Sequence, residues 1–426
     1  MTRVSTVSSG PETGGIVHAH RSVGLLVVAI WLAGAGASQA GGLYLTTFGT
    51  IDMGRAGAGA AATASDATTA FHNPAGMTRL DDHAFSGSIA PGVGRVHFDL
   101  DEAKSDPPGG DGGQQGGFLP IVSSQYVHKL SDRFRFGFSV LSVSGAVLDP
   151  DDDWAGRNEV TELSLLTLSF MPTFAVRVTD WLSIGAGAAV SFGKLKLKLK
   201  LPVGNEPGLK LSDMNDWAAA PVASILVSPM EGLRIGVNYQ GKTDFKLDGK
   251  VSSSITGIKR DLELGLPLAQ AVRTGVHWEA TDRLKLNLSA GWEDWSVAKT
   301  LPLTTDAGST SIPLKMRDTW YIGAGVEFVP CEDWMVETGF RYDSSALKDK
   351  DRTTSFPIDR VWTLGVGTRW DYSENTQLGF SFGWVNLGKA RVDTANVKGK
   401  YRSNDLYIFG LHVNFKRLPW SGRATL

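Results

Sequence analysis

A single cysteine, Cys331, rules out any intramolecular disulfide framework in this chain of 426 residues. It sits in a polar turn and reads as a residue of no chemical consequence. The eight histidines come without a Gly-x-Ser-x-Gly nucleophile motif. His18 and His20 lie near the amino terminus, and His72 beside Asn73 reads as a packing or hydrogen-bonding residue. His412 shares a strand face with Asn414 but has no nucleophile nearby in sequence. Past the amino terminus no apolar run reaches the ~18 residues of a membrane-spanning helix. A net charge of −2 lacks the basic excess that a nucleic-acid partner demands. The acidic run Asp149, Asp151, Asp152, Asp153 lacks the ligand spacing of a calcium loop and reads as solvated. No catalytic residue, metal site or cofactor is expected.

Glycine, with 50 residues, is abundant, while only 42% of the chain is hydrophobic. That balance suits a barrel whose lumen is lined by small and polar side chains. Six short turns stand between alternating stretches: Leu130-Ser131-Asp132, Thr179-Asp180, Ser228-Pro229-Met230-Glu231, Thr281-Asp282, Cys331-Glu332-Asp333 and Ser373-Glu374-Asn375. Much longer Gly-, Pro- and Asp-rich connections separate them. Short turns at one end and long loops at the other mark a transmembrane antiparallel β-barrel. Period-two alternation supports it, as where Trp320, Ile322, Ala324, Val326 and Phe328 interleave with Tyr321, Gly323, Gly325 and Glu327. Aromatics near strand ends (Trp181, Trp292, Trp334, Trp362, Trp370, Trp384) suggest bilayer girdles. About fourteen strands are predicted, near 83–99, 119–129, 133–147, 160–177, 181–199, 216–228, 232–248, 269–280, 283–297, 318–330, 334–345, 359–372, 376–388 and 403–415.

Residues 1–40 read as a leader extension and signal peptide, with Arg21, the apolar segment Val23 to Ala33 and the cleavage site Ser38-Gln39-Ala40. Residues 41–82 precede the first clear strand and are expected to plug the lumen, since a barrel this wide would otherwise leak. Their run Gly54-Arg55-Ala56-Gly57-Ala58-Gly59 has neither a preceding strand nor the Lys-Ser/Thr ending of a phosphate loop. The barrel is assigned to 83–415 and a tail to 416–426. Phe415, ending the last strand, is similar to the insertion signal read by the barrel assembly machinery, although eleven residues follow it.

Several motifs together identify a family. Gly42-Leu43-Tyr44-Leu45, Met53-Gly54-Arg55-Ala56, Asp66-Ala67 and Asn73-Pro74-Ala75 resemble the hatch of the FadL/TodX channels. Asp153-Trp154-Ala155-Gly156-Arg157, Leu266-Pro267, Trp292-Glu293-Asp294-Trp295-Ser296, Arg341-Tyr342-Asp343, Pro357 and Asp359-Arg360 extend the likeness over nearly the whole chain. The resemblance implies fourteen strands, a hatch touching ligand, a kinked third strand that opens the wall sideways, and passive uptake of long-chain fatty acids or aromatic and aliphatic hydrocarbons. It places the protein in the outer membrane of a Gram-negative bacterium.

Candidate site residues follow. Asn73, Pro74 and Ala75 fall on the hatch motif; Pro74 fixes a backbone dihedral and Asn73 can bond to wall or backbone. Phe71, Met53 and Met77 are expected apolar contacts of the ligand. On the third strand, small residues replace the apolar face at Ser142, Val143, Ser144 and Gly145, the expected lateral opening. On the fifth strand, parity turns Lys194, Lys196, Lys198 and Lys200 outward, where they can meet lipopolysaccharide. Leu195, Leu197, Leu199 and Leu201 then point inward as a greasy groove. Arg234 and Lys242, placed in the lumen by parity, are candidate carboxylate partners. Nothing in the sequence demands more than a monomer. A hydrophilic porin and a lipid-active enzyme are the rival readings; the plug opposes the first and the missing nucleophile motif the second.

Overall fold

The computed structural model describes Tyr44 and residues 49–106, 108–202, 208–254, 257 and 259–417. The signal segment, the tail beyond 417 and most of the first hatch motif lie outside the described residues. Nineteen strands run in chain order: β1 (Ala84–Leu100), β2 (Phe118–Lys129), β3 (Phe134–Leu148), β4 (Glu162–Arg177), β5 (Leu182–Lys200), β6 (Gly208–Met230), β7 (Leu233–Gln240), β8 (Thr243–Ser253), β9 (Lys259–Leu268), β10 (Ala271–Glu279), β11 (Leu284–Glu293), β12 (Thr300–Thr305), β13 (Gly308–Pro313), β14 (Thr319–Cys331), β15 (Trp334–Asp343), β16 (Val361–Asp371), β17 (Thr376–Asn386), β18 (Arg391–Asp393) and β19 (Lys398–Phe415).

Fourteen of them, β1–β7, β10, β11, β14–β17 and β19, form a closed antiparallel barrel, sealed where β19 pairs with β1 from Phe85↔Phe415 to Leu100↔Gly399. Closure pairs strand edges that would otherwise face hydrocarbon, where an unpaired backbone group costs several kcal/mol. Side-chain parity follows the sequence. On β14, Trp320, Ile322, Ala324, Val326 and Phe328 are exposed to the bilayer, while Thr319, Tyr321, Gly323, Gly325 and Glu327 are buried.

Strand placement departs from expectation around β6 to β9. β6 begins at Gly208 rather than near 216, and the expected seventh strand divides at Gly241-Lys242 into β7 and β8. Above the wall, β8, β9, β12 and β13 continue β6 as an extracellular sheet instead of loops. Its inward residues, Phe245, Leu247, Leu262, Leu264, Leu266, Leu301, Leu303 and Ile312, are all buried. Gly, Asp and Pro between these residues disguised short alternating strands as loop.

Short helical turns at Ile51–Arg55, Ala60–Thr63, Thr69–His72 and Pro74–Arg79 fill the lumen. They touch β14–β17 and β19 through the first turn, β7, β10 and β11 through the second, and β2–β6 through the last two. Contact around the whole ring places this hatch inside the barrel.

Candidate functional site

Three parts make up the site: the seated hatch, a buried apolar cluster above it and a break in strand pairing beside it. The hatch backbone lies directly on glycines of the wall. A β-carbon on Gly236, Gly339 or Gly365 would overlap the carbonyl oxygens of Ala61, Arg55 or Met53 respectively. Of the hatch motif, Asn73 Nδ2 donates to Ala61 O (2.6 Å) and to Ile225 O of β6 (3.0 Å), and Asn73 Oδ1 accepts from Ala75 N (3.1 Å). Ala75 N also donates to Ser224 Oγ of β6 (3.0 Å), and Pro74 opens the last helical turn. The motif thus fastens hatch to wall.

A buried ionic cluster fastens the opposite side. Arg55 pairs with Asp52, with Glu327 of β14 (2.7 Å) and with Glu337 of β15 (3.4 Å); Arg369 of β16 joins Glu337 (2.9 Å) and Asp66 (3.5 Å). Removing one partner from such a cluster strands a buried charge at a cost of about 3–5 kcal/mol.

This cluster, the apolar chamber of the barrel, packs Leu195, Leu197, Leu199 and Leu201, each at most 4% exposed, with Leu209, Leu211, Met214 and the inward residues of β8, β9 and β12. Lys194, Lys196, Lys198 and Lys200 alternate with these leucines on the outer face. At the base, Tyr44 packs on Trp295 (5.2 Å between rings) and its hydroxyl donates to Ala269 O. Arg273 of β10 lies over the same ring at 5.2 Å and donates through Nη1 to Gln240 (3.2 Å), while its buried Nη2 has no hydrogen-bond partner among the described residues. Arg273 escaped the sequence reading, although parity with Ala271 and Gly275 put it inward.

The expected carboxylate partners lie elsewhere. Lys242 is exposed beside Asp244 (2.9 Å), because the break between β7 and β8 resets the parity that placed it inward. Arg234 stands next to the periplasmic turn and is tied to Glu279 (2.9 Å). Met53 and Met77 are fully buried, Met53 with the chamber residues and Met77 in a separate cluster with Leu80, Ala84 and Val127. Phe71 packs with Leu141, Val143, Met171 and Val222.

At Val143 the strand pairing of the wall is interrupted. The β2–β3 ladder runs from Lys129↔Arg135 only to Ser123↔Leu141. β3 continues along β4 to Leu148↔Leu163, with a bulge between Ser142 and Ser144. Among the described residues, the edge facing β2 beyond Leu141 carries only isolated bridges, Gly116↔Leu148 and, from the hatch side, Tyr44↔Ser144. Leu141 to Ala146 are all buried, so the strand leaves the lipid-facing surface there. Ser142, Val143, Ser144 and Gly145, the expected lateral opening, lie along this interrupted stretch, and Tyr44, packed at the chamber base, bridges to Ser144.

The extracellular mouth is covered by residues 149–161. Trp154 is fully buried there, and Glu159 accepts hydrogen bonds from Thr354 N and Oγ1 (2.7 Å each) and from Thr394 Oγ1 (2.9 Å). Burial pushes the Glu159 carboxyl above its ordinary value despite these donors. The neutral acid is therefore the form the closed cover prefers. Closure should be tightest at acid pH and weaken as pH rises from the ordinary carboxylate value through the raised one. Glu159→Gln should remove that dependence; hydrogen exchange of residues 149–161 between about pH 4 and about pH 8 would measure it.

The family model for outer membrane protein transport proteins (OMPP1/FadL/TodX) matches residues 31–416. The chain belongs to this family. It is an outer-membrane protein, as the barrel requires. It is 22% identical to the long-chain fatty acid transport protein of Escherichia coli K12 over 92% of this chain and 97% of that protein. It is 24% identical to outer membrane protein P1 of Haemophilus influenzae over 92% and 98%. Among solved structures, a Pseudomonas aeruginosa FadL homologue superposes with a TM-score of 0.80 at 18% identity, over 88% of this chain and 99% of that one. The Ralstonia pickettii toluene transporter TbuX gives 0.66 at 19%, over 87% and 99%. These likenesses are ones of fold.

Proposed function

We propose that this channel carries hydrophobic compounds passively across the outer membrane and releases them sideways, and that an amphiphile with an anionic head, such as a long-chain fatty acid, is its best substrate. The relatives' names point to fatty acids and to toluene; the local chemistry favours the former. The carrying observation is the meeting of three features at Tyr44: the leucine chamber, the unpartnered Arg273 Nη2 and the wall break at Ser142–Gly145. The solute's apolar body occupies the chamber while its carboxylate reaches Arg273. A small shift of the Tyr44 end of the hatch then frees the break at Ser144, and the solute passes into the bilayer beside β3. The hatch body, fastened through Asn73-Pro74-Ala75 and the Arg55 cluster, serves as the floor. Transfer of apolar surface out of water, about 25 cal/mol per Å², supplies the driving force.

Uptake of labelled oleate and labelled toluene, measured separately in cells lacking their own hydrophobic channel, tests the reading. Arg273→Gln should weaken oleate uptake at low concentration by roughly tenfold or more, the worth of a charge-assisted hydrogen bond of about 1.5–3 kcal/mol. Toluene uptake should stay unchanged. Equal losses for both would reject Arg273 as a head-group contact, and uptake of neither would reject the channel reading.

A further inference from the structure

The outer face of the extracellular sheet carries a concentrated positive charge. Lys194, Lys196, Lys198 and Lys200 all project away from the chamber, and Lys198 stands directly opposite Lys210 of β6. Like charges in opposed positions repel. Glu162 takes Lys196 and Lys198, Asp153 takes Lys200 (2.8 Å), and Asp149 and Asp152 also act on Lys198. Lys194 and Lys210 are exposed with no acidic partner among the described residues. Farther round the sheet the sign reverses, where Asp213, Asp248, Asp261, Glu263 and Asp306 line a surface cleft.

Height matters as much as charge. One outward step below Lys194, Phe192 pairs across the ladder with Trp217, whose ring also meets Phe170 (5.7 Å). Trp217 is 57% exposed on the lipid-facing side, and an aromatic cluster in that position marks the bilayer interface. Two strand residues advance about 7 Å, so Lys194 stands at head-group level and Lys196 to Lys198 just above it. Cations at that height meet the anionic surface of the membrane rather than solutes in the medium.

We infer that this patch, centred on Lys194, Lys198 and Lys210, binds the phosphate groups of lipid A in the outer leaflet. The lipid's acyl chains lie against the wall below Trp217, and its phosphates neutralise the lysine row. Glu162 holds Lys196 and Lys198 extended beside the unpartnered Lys194 and Lys210.

The test uses the full chain purified from outer membranes in mild detergent. Lys194→Gln/Lys198→Gln/Lys210→Gln should bind lipopolysaccharide about a hundredfold more weakly, each of the three surface lysines contributing about fivefold, and so retain less of it per barrel. The corresponding arginine triple should retain it, and so should Lys389→Gln/Arg391→Gln, which removes exposed cations elsewhere on the extracellular side. On the unaltered protein, bisphosphorylated lipid A should raise the thermal midpoint, while its dephosphorylated form and inorganic phosphate should not. That second arm needs no substitution and decides the matter if the glutamine triple fails to fold. Equal lipopolysaccharide on the glutamine triple and the control would overturn the assignment. So would equal stabilisation by dephosphorylated lipid A, and stabilisation by inorganic phosphate would reduce the patch to a simple anion site.

Discussion

Gly236→Val is expected to make the plugged barrel leak. Gly236 faces the lumen from β7 and is held on both sides, opposite Leu226 of β6 and Gly275 of β10. The wall therefore cannot recede, and a side chain there must displace the hatch. Its β-carbon would overlap the Ala61 carbonyl and approach Asn73 Nδ2 to 2.7 Å. That nitrogen donates to the same carbonyl and to Ile225 O, so both bonds are strained by one substitution. Overpacking costs about 1–3 kcal/mol and each buried polar group left without its partner about 1–3 kcal/mol more. Every 1.4 kcal/mol changes the seated-to-unseated ratio about tenfold. The readout is killing by vancomycin, a hydrophilic antibiotic too large for an intact plug; the concentration required should fall severalfold. Gly208→Val is the control, because open space surrounds a side chain at that position. Unchanged vancomycin resistance in a folded Gly236→Val barrel would mean that the hatch is not seated on this glycine.

Deleting Val143 should abolish hydrophobic uptake while leaving the barrel intact. Val143 is the extra residue in β3: Ser142 pairs with Leu168 and Ser144 with Thr167, the next position on β4. A bulge of this kind bends its strand and interrupts pairing. Without Val143 the β3–β4 register becomes continuous, and β3 can run straight alongside β2 past Ser123↔Leu141. The ladder then gains hydrogen bonds in place of the break, each worth about 0.5–1.5 kcal/mol net. Oleate and toluene uptake should both drop to the background of cells without the channel, unlike the selective effect of Arg273→Gln. Heat-dependent migration on a gel would confirm a folded barrel. Uptake persisting through a folded, straightened wall would place the exit elsewhere.

Much of this architecture was legible in the sequence because lipid imposes a strict alternation. Parity and turn chemistry located the barrel strands, and on β5 parity alone turned the leucines inward and the lysines outward. Parity fails where a strand is interrupted. The two-residue break at Gly241-Lys242 moved Lys242 from the lumen to the surface, and a one-residue bulge at Val143 is visible only through pairing partners. Contacts between distant segments were illegible for a related reason. Nothing local announces that Gly236 must be bare because Ala61 rests on it, or that Arg55 will meet Glu327 and Glu337. Arg273 was within reach, since its inward parity on β10 was plain, but its unpartnered nitrogen depends on where Tyr44 and Gln240 fall.

The lateral route is tested most directly by an oleate carrying a diazirine near the end of its chain. It would be photoactivated during uptake in cells expressing the unaltered channel, and the labelled peptides mapped. Release through the wall requires label on Tyr44, on Val143 to Ala146 and on the facing stretch Leu119 to Ile121 of β2. Label on Thr78, Ser183 and the periplasmic underside of the hatch, with none at the β3 break, would contradict it and send the solute straight through the barrel.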